Sequence, residues 1–420
     1  MRYLYTVLFY LALPWIFLRL LWRSRRAPLY RERWAERLGF YPFRLEQCIW
    51  IHAVSLGETI AAIPLIKALK EKYPENPILV TNMTVTGSSK VKAAFGENVY
   101  NAYIPYDIPD ALTRFFKKVT PRVLIVMETE LWPNLFLACQ KRNIPVIVTN
   151  ARLSEKSATS YRKIKPLTQE IVSTITLLLA QTDADADRFM ALGMQKDRVR
   201  VTGSLKFDLE LPAGLFEKGA ALRQTLGADR LVWIAASTHP GEDDIMLAAH
   251  HIVRQTFPHA LLILVPRHPE RFDAMAALVS EKNLTVVRRS QQTVCDENTA
   301  VYLGDTMGEM MLMFSACDVA CVAGSFVPVG GHNVIEPAAL HKPVITGSYL
   351  FNFAEITDQM LRAEGMLKVA NADELAHAVI KLFENADYRN TTGENAFQVV
   401  EKNRGALQRQ VDLIGGLVVF

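Results

Sequence analysis

Cysteine is scarce in this chain of 420 residues. The five that occur, Cys48, Cys139, Cys295, Cys317 and Cys321, are scattered and mostly embedded in apolar runs. They show neither a zinc-ligand spacing nor a disulfide framework, which excludes a stapled secreted scaffold and suits a reducing compartment. Charge of one sign is scarce as well. Lysine and arginine exceed the acids by only four, so nothing points to a nucleic-acid partner. Low-complexity sequence is absent, and half of the residues are hydrophobic, as in a globular protein with room for two domains. A metal site is also missing. The Asp-x-Asp pairs Asp183–Asp185 and Asp185–Asp187 open a helix-like run, "DADRFMALG". Acids there serve as cap and dipole partners, and no further ligand for a hard cation stands nearby.

Long hydrophobic runs are absent but for one. "YLYTVLFYLALPWIFLRLLW", Tyr3 to Trp22, is apolar until Arg19 and close to the ~20 residues that a membrane-spanning helix needs. A cleaved signal peptide fits poorly, because Arg2 is the sole early charge and no small-x-small site follows. Basic residues crowd the far side as Arg19, Arg23, Arg25, Arg26, Arg31, Arg33 and Arg37. The positive-inside rule then places the body in the cytoplasm. The run predicts an anchor at the membrane. Pro14 is compatible with a spanning helix and with one lying in the interface.

Beyond residue 46, short apolar runs alternate with amphipathic stretches: "CIWIHAV", "PILVTNM", "VYNAYIPYD", "RVLIVME", "PVIVTNAR", "TLLLAQTD" and "RVRVTGSL" read as strands with helices between them. After "GSLKFDLELP" the rhythm restarts with "LVWIAAST", "ALLILVPRH", "LTVVRRS", "AVYLGDT", "DVACVAGS" and "KPVITGS". Buried strands alternating with helices predict doubly wound parallel sheets. The expected organisation is an anchor with its basic flank (1–40), a Rossmann-like domain (41–206), a second one facing it (207–395), and a returning C-terminal helix (396–420). Ligands are expected at the carboxyl ends of the strands.

The residues after each strand carry the chemistry. Ser55-Leu56-Gly57-Glu58 fits a capping box; Glu58 at a strand end equally fits a base that takes a proton from a hydroxyl. His52, on the strand itself, is expected to pack. Glu128 is the first residue past its strand and points to the site, whereas Glu130 suits the dipole of the next helix. Trp132 and Pro133 shape the turn. Lys206 lies at the junction of the halves, and Arg267 follows another strand, where it can fork onto phosphate. His268 is beside it; Ser237, Thr238 and His239 hold the equivalent place one strand earlier. Gly330 and Gly331 would let backbone approach a ligand, with the next helix start offered to an anion. Asn333-Val334-Ile335-Glu336 again has capping-box spacing, with Pro337 behind it.

Together, "HAVSLGE", "METELWPN", "TNARLSEKS", "GSLKFD", "VPRHPERF", "GDTMGEM" and "GGHNVIEP" resemble the 3-deoxy-D-manno-oct-2-ulosonic acid (Kdo) transferases of Gram-negative bacteria. The resemblance covers essentially the whole chain in family order. It implies an α/β GT-B fold, two facing Rossmann-like domains with an N-terminal membrane anchor. It also implies inverting transfer of Kdo from CMP-Kdo to lipid IVA at the inner membrane, without a metal or further cofactor. By the resemblance Glu58 is the general base, and Glu128 and Lys206 stabilise the transition state. Pro266, Arg267, Met307, Gly308, Glu309, Asn333, Val334, Ile335 and Glu336 form the CMP-binding segments. The alternatives are another GT-B enzyme, such as a UDP-N-acetylglucosamine transferase or a UDP-sugar epimerase, and a catalytically dead nucleotide-sugar binder.

Overall fold

The computed structural model describes residues 1–25 and 28–418; Arg26 of the expected basic flank lies outside them. The chain forms two compact units. The first comprises Met1–Asp208 and Arg404–Phe420, the second Leu209–Asn403.

The first unit carries seven strands: β1 (Leu45–His52), β2 (Ile78–Asn82), β3 (Tyr100–Tyr103), β4 (Val119–Met127), β5 (Val146–Ala151), β6 (Leu177–Ala180) and β7 (Val199–Val201). They pair in parallel in the order β3-β2-β1-β4-β5-β6-β7. Successive residues face opposite sides of the sheet. Cys48 and Trp50 of β1 join one apolar layer with Phe115 and Phe136, while Ile49 and Ile51 join the other with Leu65 and Ile414. Both faces are therefore covered, the reason these strands read as continuous apolar runs.

The second unit repeats this plan with β8 (Val232–Thr238), β9 (Leu261–Pro266), β10 (Val286–Arg288), β11 (Val301–Leu303), β12 (Val319–Val322), β13 (Val344–Thr346) and β14 (Met366–Lys368). The order is β10-β11-β9-β8-β12-β13-β14. The three-residue strand β14 is an addition to the sequence reading. Its run is too short to stand out from the helix before it.

In each sheet the order reverses beside the first strand of the unit, between β1 and β4 and between β8 and β12. At such switch points the loops leaving the two strands run to opposite faces of the sheet, the place where open α/β sheets bind their ligands.

Two expectations about the chain ends need correction. The segment 396–420 is not one returning helix: a helix spanning Ala386–Asn403 stays with the second unit, and only Ala406–Val418 belongs to the first. Gly405, with φ at 86°, breaks them. Asp208 caps the new start, accepting the N–H groups of Gly405 and Leu407 at 2.6 Å each. The basic flank is the second correction. Arg37 is buried, donating to the Met83 carbonyl and lying 4.1 Å over the Tyr103 ring. Arg33 binds Glu36, Ser88 and Asn101. Both are parts of the first unit's framework, leaving Arg19, Arg23, Arg25 and Arg31 as the exposed arginines of the flank among the described residues.

The apolar run forms one helix, Arg2–Ser24, the only described helix long and apolar enough to cross a membrane. It lies along the first unit. Phe9, Leu13, Ile16 and Phe17 pack against Tyr106, Ile108 and Ala111. Asn134 donates to the Thr6 hydroxyl at 3.0 Å, and the Tyr10 hydroxyl donates to Asp110. The opposite face, with Leu4, Leu11, Trp15, Leu18 and Trp22, is exposed.

Candidate active site

At the switch point of the first sheet, β1 ends at His52 and the helix Leu56–Lys72 begins after Ser55. Ser55 Oγ accepts the Glu58 N–H at 3.3 Å and donates to Glu58 Oε1 at 2.8 Å. Glu58 Oε2 accepts the Val54 N–H at 2.8 Å. The capping box is thus formed, reaching back one residue beyond the cap. It pins the carboxylate to a rigid element rather than leaving it on a mobile side chain.

Burial raises the Glu58 pKa to about 7 against the pull of its Ser55 and Val54 hydrogen bonds, and the charges of Glu130 and Glu128 push it further. A carboxyl poised near neutrality among other carboxylates is suited to proton transfer. Capping and basicity come from the same contacts.

Glu128 leaves β4 in the left-handed region, φ 57°, with its N–H donating to the Thr149 carbonyl at 3.0 Å. Such a conformation costs a non-glycine residue about 1 kcal/mol, and it turns the chain sharply at the strand end. Glu130 does not serve the next helix, contrary to expectation. Asp107 does so, accepting the N–H groups of Asn134 and Leu135 at 3.0 and 2.7 Å. Glu130 instead takes the indole N–H of Trp132 at 2.9 Å, and burial raises its own pKa. His52 packs as expected: it is fully buried, burial lowers its pKa to about 4, and its ring meets Trp132 edge-on at 5.4 Å.

Lys206 sits in a single 3-10 turn, Leu205–Phe207. That turn is held by Asn150, a strand-end residue of β5 also in the left-handed region, whose Oδ1 accepts the Leu205 N–H at 3.1 Å. Burial lowers the Lys206 pKa; the Glu128 charge opposes this and Arg152 adds to it. Glu58, Glu128, Glu130 and Lys206 are thereby one electrostatic group. Asn150 is a positioning residue that no sequence pattern singled out.

In the second unit, Arg267 follows β9 and its N–H donates to the Thr238 carbonyl at 3.0 Å. Its charge acts on Glu336, whose pKa burial raises. Asn333 Nδ2 donates to Glu336 Oε1 at 3.0 Å, but Asn333 Oδ1 accepts the N–H of Ile335. The expected box is therefore not formed, and the helix is one turn, Ile335–Ala338. Pro337 brings no N–H to that turn, and four residues build little dipole. Pro266, Val334 and Ile335 are buried, so their side chains are packed inside the unit. Met307 and Gly308 form an exposed loop tip, while Glu309 is committed to Arg289 through two bonds of 3.0 and 2.8 Å.

Two glycines of this stretch also make room within the protein itself. A Cβ on Gly324 would strike the His332 ring, and one on Gly330 would strike Phe351. They admit the protein's own side chains. One other residue surfaced only in the structure. Glu242, fully buried, accepts N–H groups from His239, Gly324 and Phe326 at 2.8–2.9 Å, tying together the loops after β8 and β12. His239 and His332 meet across that knot, Nε2 to Nε2 at 2.8 Å.

Comparisons with known proteins agree with this architecture. Residues 32–209 match the family described as 3-deoxy-D-manno-octulosonic-acid transferase (kdotransferase), and residues 229–399 match glycosyl transferases group 1. A 3-deoxy-D-manno-octulosonic acid transferase of Haemophilus influenzae is 45% identical, covering 98% of both chains. One from Bordetella pertussis is 35% identical over 98% of both. In fold, the chain resembles a UDP-GlcNAc 2-epimerase of Neisseria meningitidis at a TM-score of 0.59, 14% identity, 88% of this chain and 100% of that one. That likeness is one of fold alone. The epimerase and UDP-N-acetylglucosamine transferase readings, which fold would allow, do not survive the sequence identity. With two doubly wound units in GT-B style and relatives that match it from end to end, the chain belongs to the 3-deoxy-D-manno-octulosonic acid transferases, and it is a glycosyltransferase.

Proposed function

We propose that the protein transfers Kdo from CMP-Kdo to lipid IVA with inversion, using Glu58 as the base. The acceptor hydroxyl oxygen bonds to the anomeric carbon of Kdo, the bond from that carbon to the phosphate oxygen breaks, and CMP departs. The hydroxyl proton passes to Glu58. Lys206 and Glu128 attend the charge that develops, and Arg267 with the loops carrying Met307–Glu309 and Asn333–Glu336 receives CMP. Positively charged groups meet the leaving phosphate in this scheme, and no metal is required.

The observation that carries the reading is Glu58 itself. Its carboxylate is immobilised at a switch point and poised near pH 7. CMP release should require CMP-Kdo and lipid IVA together and persist in EDTA. UDP release from UDP-sugars with no CMP release from CMP-Kdo would refute the donor, and loss in EDTA restored by magnesium would refute the metal-free scheme.

The site works at the inner membrane, its body on the cytoplasmic side, with helix Arg2–Ser24 lying in the interface rather than crossing it. Asn134 and Asp110 bind one face of the helix, and Glu170 pairs with Arg2 at 3.8 Å. A crossing pose would draw these polar groups into hydrocarbon. The exposed apolar face and the exposed Arg19, Arg23 and Arg25 suit an anionic interface.

Nitroxide labels on L4C, L11C and L18C test this, since those positions share the exposed face and the five native cysteines are buried. In vesicles of anionic phospholipid the three labels should sit at one depth. A crossing helix would separate neighbours by about 10 Å, and that result would overturn the orientation.

A further inference from the structure

The rings of His239 and His332 are within 11° of parallel, with centroids 5.0 Å apart and Nε2 atoms 2.8 Å apart. Those three values together describe two coplanar rings joined edge to edge, not a face-to-face stack. One Nε2 therefore donates and the other accepts, so the neutral pair holds opposite tautomers. One added proton makes the bond charge-assisted and stronger. A second would place two donors against each other and break it.

The pair stands at the switch point of the second sheet, His239 following β8 and His332 following β12. The charged and titratable groups around it come from every neighbouring segment. After β9 stand His268, edge-on to His239 at 5.6 Å, and Arg267 and Arg271. Arg271 is bound to Asp243 and the Thr238 carbonyl. Glu242 is held by three backbone N–H groups, and Glu336 lies within the field of Arg267.

We infer that His239 and His332 act as one proton-sharing pair that takes up a proton when the phosphate of a cytidine monophosphate binds beside Arg267. The inference rests on the proposed CMP-Kdo donor and names the residues that answer its charge. Before binding, the pair is neutral: burial, then His239, Arg267 and His268, lower the His332 pKa to about 4, and burial lowers that of His239. A dianion reverses the local field and favours the protonated, charge-assisted state, so by linkage the proton tightens the phosphate as much as the phosphate tightens the proton. On release of CMP the proton returns to solvent.

Titration calorimetry of CMP into the whole enzyme, in two buffers of different ionisation enthalpy at pH 7.5, reads the uptake directly. At that pH CMP is itself almost wholly dianionic, its second pKa being about 6. The wild type should absorb a fraction of one proton that diminishes as pH rises, and cytidine should bind without uptake. H332Q and H239Q should bind CMP roughly tenfold more weakly and without uptake. Wild-type binding of CMP with no buffer dependence would overturn the pair's role, as would equal uptake in H332Q. Failure of CMP to bind at all would instead overturn the donor reading.

Discussion

Glu58→Gln is expected to transfer Kdo roughly a hundredfold to ten-thousandfold more slowly than the wild type, the usual contribution of a general base. It should do so while melting within about 1 °C of it, because glutamine preserves the capping box. Its amide oxygen can still accept the Val54 N–H, and its amide nitrogen can donate to Ser55 Oγ where Oε1 now accepts. Only the basicity is lost. Since the base acts on the acceptor, CMP affinity should be unchanged, and kcat and kcat/KM should fall together.

The pH profile adds a sign. A carboxyl whose pKa is raised to about 7 is protonated below that value, so the wild-type rate should climb through neutrality to a plateau. Removing the Glu130 charge, as in Glu130→Gln, should move that limb to lower pH. The stability linkage runs the other way: between about pH 4.5 and 7 the folded state holds the extra proton, so this contribution declines as pH rises through the window. If Glu58→Gln transferred within a few-fold of wild type, Glu58 would be a cap and nothing more.

Glu242→Ala should be the most damaging single change for the second unit. The carboxylate accepts the N–H groups of His239, Gly324 and Phe326, and alanine leaves all three without a partner. At ~1 kcal/mol or more for each orphaned donor, the loss is about 3 kcal/mol. For a unit of this size that lowers Tm by about 6–12 °C. The effect should also be local. Among the described residues, the hydrogen bonds between the loops after β8 and β12 run through this knot and the histidine pair, so hydrogen exchange at 322–332 should accelerate while strands β9 and β13 keep their protection. CMP binding should weaken with it. A variant that melts as the wild type does, with unchanged exchange at those loops, would show that Glu242 organises nothing.

The strands were legible because burial on both faces writes them as unbroken apolar runs, as in "RVLIVM" and "ALLILV". Strand ends were legible for the same reason, and the sequence alone puts Glu58, Glu128 and Arg267 there. What stayed hidden depends on partners distant in sequence. Asp107 lies 27 residues from the Asn134 N–H it caps, and Glu242 lies 82 from Gly324. No local spacing marks such contacts. The capping pattern at Ser55–Glu58 formed while the one at Asn333–Glu336 did not, because a cap needs a helix that continues, and Ile335–Ala338 is a single turn. Gly330 and Gly331 look like a phosphate loop, and nothing in the sequence signals that Gly330 also makes room for Phe351. Arg33 and Arg37 look like membrane-facing charge, yet they are fixed inside the first unit.

The most direct test of the account is the mass spectrum and anomeric configuration of the lipid formed when the purified protein meets CMP-Kdo and lipid IVA. The account predicts lipid IVA extended by Kdo, with configuration inverted relative to the donor and one CMP released per Kdo attached. Unmodified lipid IVA, or a product of retained configuration, would contradict it.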